Sequence, residues 1–191
     1  MTIGTLYYSP KSARSNWMAS YIKYHKLDID VVNGKELTNY KEIFPLGKVP
    51  AFKDSKGRLL TESIAIARYL SILAGELPID DFEDVSILRW SSFFNQDFRE
   101  YAIHPLMQKD GIPISEKLEP LMNYFKYLDN HFVESEYLAS NRLTYVDLST
   151  CAYFKTIFSQ SNGLIDVSSY PHLERWYNVV VEHPVVVLTE V

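Results

Sequence analysis

Pro50 is the residue that most constrains the fold, because it stands at the entrance to a short apolar run, Ala51-Phe52. Proline has no backbone N–H, so a strand accepts it at its start, at an edge or in a cis turn. In the cis form, this bond would leave the backbone N–H and C=O of Val49 able to pair with an extended ligand. The position is therefore either part of a ligand site or a structural strand entrance only.

The pair Glu62-Ser63 ends the same stretch of chain, residues 44–63, and a helical pattern begins directly after it at Ile64. The start of a helix presents backbone N–H groups and the positive end of the helix dipole, which suit a ligand carboxylate. The structural alternative is that Ser63 caps the helix and Glu62 favours the helix dipole. Taken with Val49-Pro50, the pair predicts a ligand site.

The composition is that of an ordinary globular protein. Of 191 residues, 47% are hydrophobic and 23% are charged, and the net charge of −5 argues against a general nucleic-acid binder. No apolar run approaches the roughly 20 residues that span a bilayer, and the N-terminus lacks the pattern of a secretory signal. We therefore expect a cytoplasmic protein that contacts neither a membrane nor nucleic acid directly.

The cysteine and histidine content argues against two kinds of site. The single cysteine, Cys151, excludes an intramolecular disulfide and a CxxC redox pair, and it fits a reducing compartment. The five histidines, at positions 25, 104, 131, 172 and 183, show no metal-ligand spacing. We predict no metal site.

The first part of the chain alternates strand and helix patterns. Strands are predicted at 3–8 and 29–32, and the helix between them, at 13–26, would be capped by Ser12. Such a β-α-β unit makes neighbouring strands parallel. A weaker helical turn at 37–43 follows.

The stretch around Pro50 completes this domain. Strands at 51–52 and 58–60 are joined by a short polar turn that favours an antiparallel hairpin, and a helix covers 64–73. Apolar residues on nearly all sides of this helix predict that it is buried on two sides. The order β-α-β-α-β-β-α is that of a thioredoxin-like α/β domain, assigned to residues 1–74, with a linker at 75–81.

The remaining chain, residues 82–191, is predicted to form an all-α domain. Helices are expected at 82–106, 115–133 and 142–158, and a last helix opens at Pro171 and ends before His183. Pro120 must then lie in a first turn or produce a kink. Thr144 as N-cap with Asp147 three residues later forms a capping box, so Asp147 is predicted to serve folding rather than catalysis.

Several of these motifs together resemble the cytosolic glutathione transferase superfamily, over essentially the whole chain. They are Lys48-Val49-Pro50-Ala51, Glu62-Ser63 and Leu143-Thr144-Tyr145-Val146-Asp147, in the order α/β domain then helical domain. The resemblance implies a glutathione transferase fold. Within the superfamily, FPLGKVPAF, TESIAIARYL and ILRWSSFFNQD look most like the amino-terminal domain of the gamma subunit of translation elongation factor 1.

The resemblance also implies roles for residues of the central stretch. Val49, beside a cis Pro50, would pair its backbone with the cysteinyl part of glutathione. Ser63 would hold the γ-glutamyl end through its hydroxyl and N–H, and Glu62 would lie near the ammonium. Lys48 would reach the glycyl carboxylate, or remain a solvated surface lysine.

Catalysis would need a donor at the thiol sulfur. The candidates are Tyr7, Tyr8, Ser9, Ser12 and Arg14. Tyr7 and Tyr8 alternate faces on a strand, so at most one points to the site. Ser12 resembles the serine of the serine-type classes and is the leading candidate, with Tyr8 and Arg14 as alternatives, although Ser12 would equally serve as a helix cap.

Two other features are interpreted as structural. Cys151 is expected to be a small core residue, which argues against the cysteine-type classes. The aromatic segment 90–98 is expected to lie in an interdomain core, and some of its residues would otherwise line a hydrophobic substrate site.

The resemblance favours an assembly module of the elongation factor 1 complex in translation (protein biosynthesis), with a glutathione site, a homodimeric state and an exchange subunit as partner. The alternative function is a glutathione S-transferase that conjugates glutathione to hydrophobic electrophiles. A third possibility is a scaffold that keeps only the fold, such as the domains appended to aminoacyl-tRNA synthetases.

Overall fold

The computed structural model describes residues 2–107, 110–161 and 163–189. Its chain forms two compact units. The first unit comprises the residues up to Leu77 together with those from Glu182 onward, and the second is Pro78–Val181. The domain boundaries given above, 1–74, 75–81 and 82–191, stay a prediction.

The first unit contains a four-stranded mixed sheet. Its strands are β1 Gly4–Tyr8, β2 Ile29–Asn33, β3 Ala51–Asp54 and β4 Leu59–Thr61. The strand order is β2-β1-β3-β4, with β1 parallel to β2 and with β1–β3 and β3–β4 antiparallel. This arrangement confirms the predicted thioredoxin-like topology, including the β-α-β unit and the hairpin.

Gly4 allows the central strands to approach each other. A Cβ at this position would lie 2.4 Å from the carbonyl oxygen of Lys53 on β3. A side chain there would therefore push β1 and β3 apart. Only glycine fits the observed register at the start of β1.

Three helices accompany the sheet: α1 Asn16–Tyr24, α2 Tyr40–Ile43 and α3 Ser63–Leu73. The prediction that α3 is buried on two sides is wrong for the described chain. Its buried residues, Ile66, Ala67, Leu70 and Ser71, form one stripe, whereas Ile72 is 45% exposed.

The prediction that Ser12 caps α1 is also wrong. The helix begins at Asn16, and Ser15 is its N-cap residue. Ser15 Oγ accepts from the N–H of Ser9 and donates to the Ser9 carbonyl, both over 3.2 Å. The Ser12 carbonyl accepts from the N–H groups of Ser15 and Asn16. Residues 9–15 therefore form a closed turn before the helix, and Ser12 lies within it.

The second unit is helical, as predicted. Its elements are α4 Asp81–Phe93, a π-helix Phe94–Ile103, α5 His104–Met107, a 3-10 helix Ile114–Lys117, α6 Leu118–His131, α7 Tyr145–Gln160 and α8 Pro171–Val181. Pro120 is the third residue of α6, so it lies in the first turn, where no intrahelical N–H is required.

The predicted single helix at 82–106 is interrupted by the π-helix. The buried residues Phe94, Phe98 and Ala102 recur at intervals of four. Intervals of four also place residues on one face of an ordinary α-helix, so this spacing does not explain the change of helix type.

Asp147 joins the start of α7 to α8 and to the segment at Leu138 in the second unit. Its carboxylate accepts from the N–H and hydroxyl of Thr144, from the N–H of Leu138 and from the indole N–H of Trp176, over 2.9–3.1 Å. The side chain is completely buried. The expectation that Asp147 serves folding is therefore consistent with its position in the core.

The last helix of the described chain is α9 Pro184–Val187, which packs on α1 in the first unit. Across the described residues, none of the helices has the length and apolar character required to cross a membrane.

Candidate functional site

The two predicted ligand-binding pairs lie side by side at one end of the sheet. Ala51 pairs with Thr61 in the β3–β4 ladder. Because these strands are antiparallel, Pro50 before β3 and Glu62 after β4 flank the same end. Tyr7 pairs with Ala51 in the β1–β3 ladder, so the turn that contains Ser12 also follows from this end.

The Val49-Pro50 peptide bond is cis, as expected. Pro50 is buried and Val49 is half-buried. Val49 packs against a cluster of Tyr7, Tyr40, Phe44 and Ala51. No residue in the described chain hydrogen-bonds to the Val49 backbone. Its N–H and C=O groups are thus available to a ligand.

Two side chains that the sequence did not single out hold the loop before Pro50. The hydroxyl of Tyr40 donates to the carbonyl of Lys48 over 2.7 Å. Burial, followed by the neighbouring Tyr7, raises the pKa of Tyr40 to about 12, so this hydroxyl stays protonated. Lys35 Nζ donates to the carbonyl of Gly47 over 2.9 Å. The loop therefore has a fixed backbone path.

Glu62 has an unusual backbone conformation, with φ 69 and ψ 122. Positive φ is uncommon outside glycine, and such residues cluster at ligand sites. The structure makes Glu62 the N-cap of α3 and Ser63 its first residue, so the alternative that Ser63 is the cap is wrong. The Glu62 carboxylate is exposed and has no partner among the described residues.

Of the candidate thiol donors, Tyr7 and Tyr8 lie on opposite faces of β1, and Ser12 and Arg14 lie in the turn before α1. Tyr7 is buried in the cluster beside Val49, whereas Tyr8 lines a pocket with α1, as strand alternation predicts. Ser12 is half-buried, and Arg14 is exposed. No described residue binds the Ser12 hydroxyl, which is therefore able to donate.

The other candidate residues from the sequence, Cys151 and the rings of the 90–98 segment, lie in the packed core of the second unit. Cys151 is fully buried in α7, and burial raises the pKa of its thiol. The rings of the 90–98 segment contact rings of their own unit, such as Tyr124 and Phe154. Within the described part of the chain, no three His, Cys, Asp or Glu side chains form a group able to hold a metal ion.

Comparison with known families gives two adjacent matches. Residues 3–71 match the model of the glutathione S-transferase N-terminal domain. Residues 86–184 match the model of the glutathione S-transferase C-terminal domain. Both domains occur in the order that the fold shows.

Individual relatives agree with this assignment. Glutathione S-transferase Y-2 of Pichia kudriavzevii is 32% identical over 97% of this chain and 98% of the relative. Elongation factor 1-gamma 2 of Saccharomyces cerevisiae is 29% identical over 97% of this chain, which spans only 48% of that protein.

Solved structures show the same fold. A crystal structure of a glutathione S-transferase from Pichia kudriavzevii superposes with a TM-score of 0.81 at 30% identity, over 98% of this chain and 95% of that one. By its fold, its two matched domains and these relatives, the chain belongs to the glutathione S-transferase family.

Proposed function

We propose that the end of the sheet formed by Val49, Pro50, Glu62 and Ser63 binds glutathione and that the chain acts as a glutathione S-transferase. The observation that carries this proposal is the juxtaposition of the two pairs. The β3–β4 register brings an unpaired backbone edge at Val49 beside a strained helix start at Glu62. A peptide with a carboxylate and an ammonium at one end matches both features.

Each part of glutathione has a partner in this arrangement. The cysteinyl unit pairs its backbone with the N–H and C=O of Val49, as a strand added to a sheet edge does. The γ-glutamyl carboxylate accepts from the Ser63 hydroxyl and from the first turn of α3. The ammonium of the same unit pairs with the Glu62 carboxylate.

The glycyl end of glutathione lies towards Lys48. Lys48 is exposed, and its ammonium would pair with the glycyl carboxylate. The hydrogen bond from Tyr40 to the Lys48 carbonyl fixes the backbone beneath it. Tyr40 is thus a positioning residue for both Lys48 and Val49.

In this proposal, Ser12 is the catalytic residue that donates a hydrogen bond to the sulfur of glutathione. A free thiol has a pKa of about 8.5, and each unit of depression corresponds to roughly 1.4 kcal/mol of preferential thiolate stabilisation. A hydrogen bond from the Ser12 hydroxyl to the sulfur favours the thiolate. The thiolate then attacks the electrophile and forms a C–S bond, while the thiol proton leaves to solvent and the displaced group departs with its electron pair.

Calorimetric titration with glutathione tests the binding site. We expect Ser63→Ala and Glu62→Gln each to weaken binding about 5- to 30-fold, because each loses a charge-assisted hydrogen bond of about 1–2 kcal/mol. Ser55→Ala is the matched control, since Ser55 is an exposed serine in the β3–β4 turn. Absence of binding at about 5 mM glutathione would overturn the site and the enzyme assignment together.

An activity assay with a chromogenic electrophile tests the role of Ser12. We expect Ser12→Ala to lower kcat/KM about 10- to 100-fold with little change in glutathione affinity, because the hydroxyl acts on the developing thiolate. Tyr8→Phe and Arg14→Met test the alternative donors. Full activity of Ser12→Ala would show that the donor is another residue.

A second function is favoured by the likeness to elongation factor 1-gamma, at 29% identity over 97% of the chain. In that case the chain is an assembly module in translation, which binds an exchange subunit of elongation factor 1, with glutathione as a retained ligand. A pull-down with the purified exchange subunit tests this role. A folded protein that binds glutathione but captures no exchange subunit would contradict it.

The family resemblance also implies a homodimer, and α4 offers a surface for it. Phe82, Val85 and Leu88 on this helix are 81%, 62% and 53% exposed. We expect sedimentation velocity to show a dimer that becomes monomeric in Phe82→Asp. Met122→Asp, at an exposed apolar position on α6, is the control. An unchanged dimer in the Phe82 variant would exclude this face of α4.

A further inference from the structure

A separate pocket lies along α1, beside the strand residue that faces away from the Tyr7 cluster. Its volume is about 160 Å³, and it is lined by Tyr8, Pro10, Asn16, Ala19, Ser20, Lys23 and Leu188. Every lining residue belongs to the first unit. None of the residues proposed to bind glutathione lines it; of the proposed site, only Tyr8, an alternative thiol donor, is shared.

One face of α1 supplies the polar part of this pocket. Asn16, Ser20 and Lys23 are four and three residues apart, so they follow one another along the same side of the helix. Asn16 is already engaged, because its Oδ1 accepts from the N–H of Trp17 over 2.8 Å. Ser20 and Lys23 are not engaged in this way.

Three hydrogen-bond donors in the pocket have no partner within the described chain: the hydroxyls of Tyr8 and Ser20 and the ammonium of Lys23. Ser20 is 7% exposed as a residue, and its hydroxyl is open to solvent through the pocket. A ligand that displaces water from these donors must offer hydrogen-bond acceptors in its place. The donors therefore indicate a ligand that accepts hydrogen bonds.

The remaining lining determines the charge and shape of that ligand. Among the described residues, no acidic side chain lines the pocket, although the protein as a whole carries a net charge of −5. Pro10, Ala19 and Leu188 provide apolar walls. A ligand with an anionic group beside Lys23 and an apolar body against these walls would match the polar and the apolar lining of the pocket.

We propose that this pocket binds a small organic carboxylate of about the size of benzoate. The carboxylate accepts from Lys23, Ser20 and Tyr8, and the ring contacts Pro10, Ala19 and Leu188. The size follows from the volume, because a cavity of about 150 Å³ accommodates benzene. Leu188 closes one wall, so the segment after Glu182 forms part of the site.

Benzoate is the probe for the test, and the full chain is titrated while two-dimensional NMR spectra are recorded. We expect saturable shifts at Tyr8, Ser20 and Lys23, with an affinity in the millimolar to sub-millimolar range for a ligand of this size. Benzamide, which has the same ring without the charge, should bind at least tenfold more weakly. No saturable shift with up to about 10 mM benzoate overturns the proposal.

Variants locate the binding. Lys23→Met should weaken benzoate at least tenfold and Ser20→Ala about three- to tenfold, as expected for a charge-assisted and a neutral hydrogen bond. Lys56→Met is the matched control, because it removes the same charge from an exposed turn of the same unit. Equal affinity in the Lys23 and Lys56 variants would overturn the assignment. Shifts confined to Val49, Glu62 and Ser63 would mean that benzoate occupies the glutathione site, and would overturn it as well.

Discussion

Glu83 and Arg142 form an ion pair that joins the start of α4 to the segment before α7. Nη2 of Arg142 lies 2.7 Å from Oε2 of Glu83, and Nε of Arg142 donates to Oε1 over 2.9 Å. Ser140 Oγ and the N–H of Ile79 complete the shell around the carboxylate, which is 4% exposed. Removal of either charged partner therefore leaves the other incompletely satisfied.

This pair gives stability a defined dependence on pH. Arg142 first, then Ser140 and Ile79, lower the pKa of Glu83 to about 2 from an ordinary value of 4.5. The folded state thus binds fewer protons than the unfolded state, so the contribution is complete above about pH 4.5 and is lost as the pH falls towards 2. We expect Glu83→Gln to lower the free energy of unfolding by about 1–3 kcal/mol at pH 7.

Urea unfolding of the wild type and Glu83→Gln at pH 7, 5 and 3 measures the effect. The difference between the two proteins should be similar at pH 7 and 5 and clearly smaller at pH 3. Because other carboxyl groups titrate equally in both proteins, only this difference reports on Glu83. A constant difference across the series would contradict the assignment.

Substitution of Asp147 should lower the free energy of unfolding more than substitution of any neighbour on α7. Asp147→Ala leaves the N–H groups of Leu138, Thr144 and Trp176 without their acceptor in the core. We expect a loss of about 3–5 kcal/mol in urea unfolding. Burial raises the pKa of Asp147. The contribution of its ionisation to the free energy of unfolding therefore decreases as the pH rises, whereas that of Glu83 increases.

Thr150 provides the control for that experiment. It lies one turn after Asp147 and is 2% exposed, and its hydroxyl has no hydrogen-bond partner among the described residues. Thr150→Val removes an unsatisfied polar atom at nearly constant volume, so we expect it to be neutral or slightly stabilising. A large loss in this variant would mean that α7 tolerates no substitution, and the Asp147 result would then not be specific.

The sequence predicted those features that arise from local spacing. Thr144 and Asp147 are three residues apart, and their capping contacts are present. Asp80 and Glu83 have the same spacing, and Asp80 accepts from the N–H of Glu83 over 2.8 Å. This second cap was predictable from the same rule, although the ion pair with Arg142, 59 residues away, was not.

Features that depend on backbone conformation or on distant contacts could not be predicted in this way. The positive φ of Glu62 has no signal in a glutamate, and the π-helix has the apolar content of any buried helix. The packing of α9 on α1 joins residues about 160 positions apart. The pocket wall formed by Leu188 follows from that packing, so no local pattern indicates it.

The packing of α9 on α1 should depend on pH through His183. Its Nδ1 accepts from the N–H of Val185 over 3.3 Å, and its ring contacts Tyr24 on α1. Burial lowers the pKa of His183, and His25 adds to this effect, whereas Glu76 opposes it. The unfolded state therefore binds protons more readily, and this contribution is lost as the pH falls below about 6.5.

Hydrogen exchange of the backbone amides of residues 185–189, corrected for intrinsic rates, measures that attachment. We expect protection to decrease between pH 7.5 and 5.5, and the decrease to disappear in His183→Asn, which keeps an acceptor without titrating. A local measurement is needed because burial also lowers the pKa of His131 in the other unit. His172→Asn is the control, and unchanged protection in the wild type would exclude His183 as the titrating group.

Lys26→Gly should stabilise the protein. The same hydrogen-bond pattern ends α1 and α3: Leu27 N–H donates to the Ile22 carbonyl, and Glu76 N–H donates to that of Ser71. The left-handed residue is Gly75 in α3, with φ 78, but Lys26 in α1, with φ 53.

Only glycine adopts this conformation without steric strain, while its greater freedom in the unfolded chain offsets part of the gain. We therefore expect Lys26→Gly to raise the free energy of unfolding by about 0.5–1 kcal/mol in urea titrations.

Gly75→Ala, the reverse change at the matched position, should lower it by a similar amount, because space for a Cβ is available there and only the conformation is unfavourable. Lys26 is exposed, so the loss of its side chain removes little packing. A destabilised Lys26→Gly variant would mean that the lysine side chain contributes more at this position than the relief of its backbone conformation.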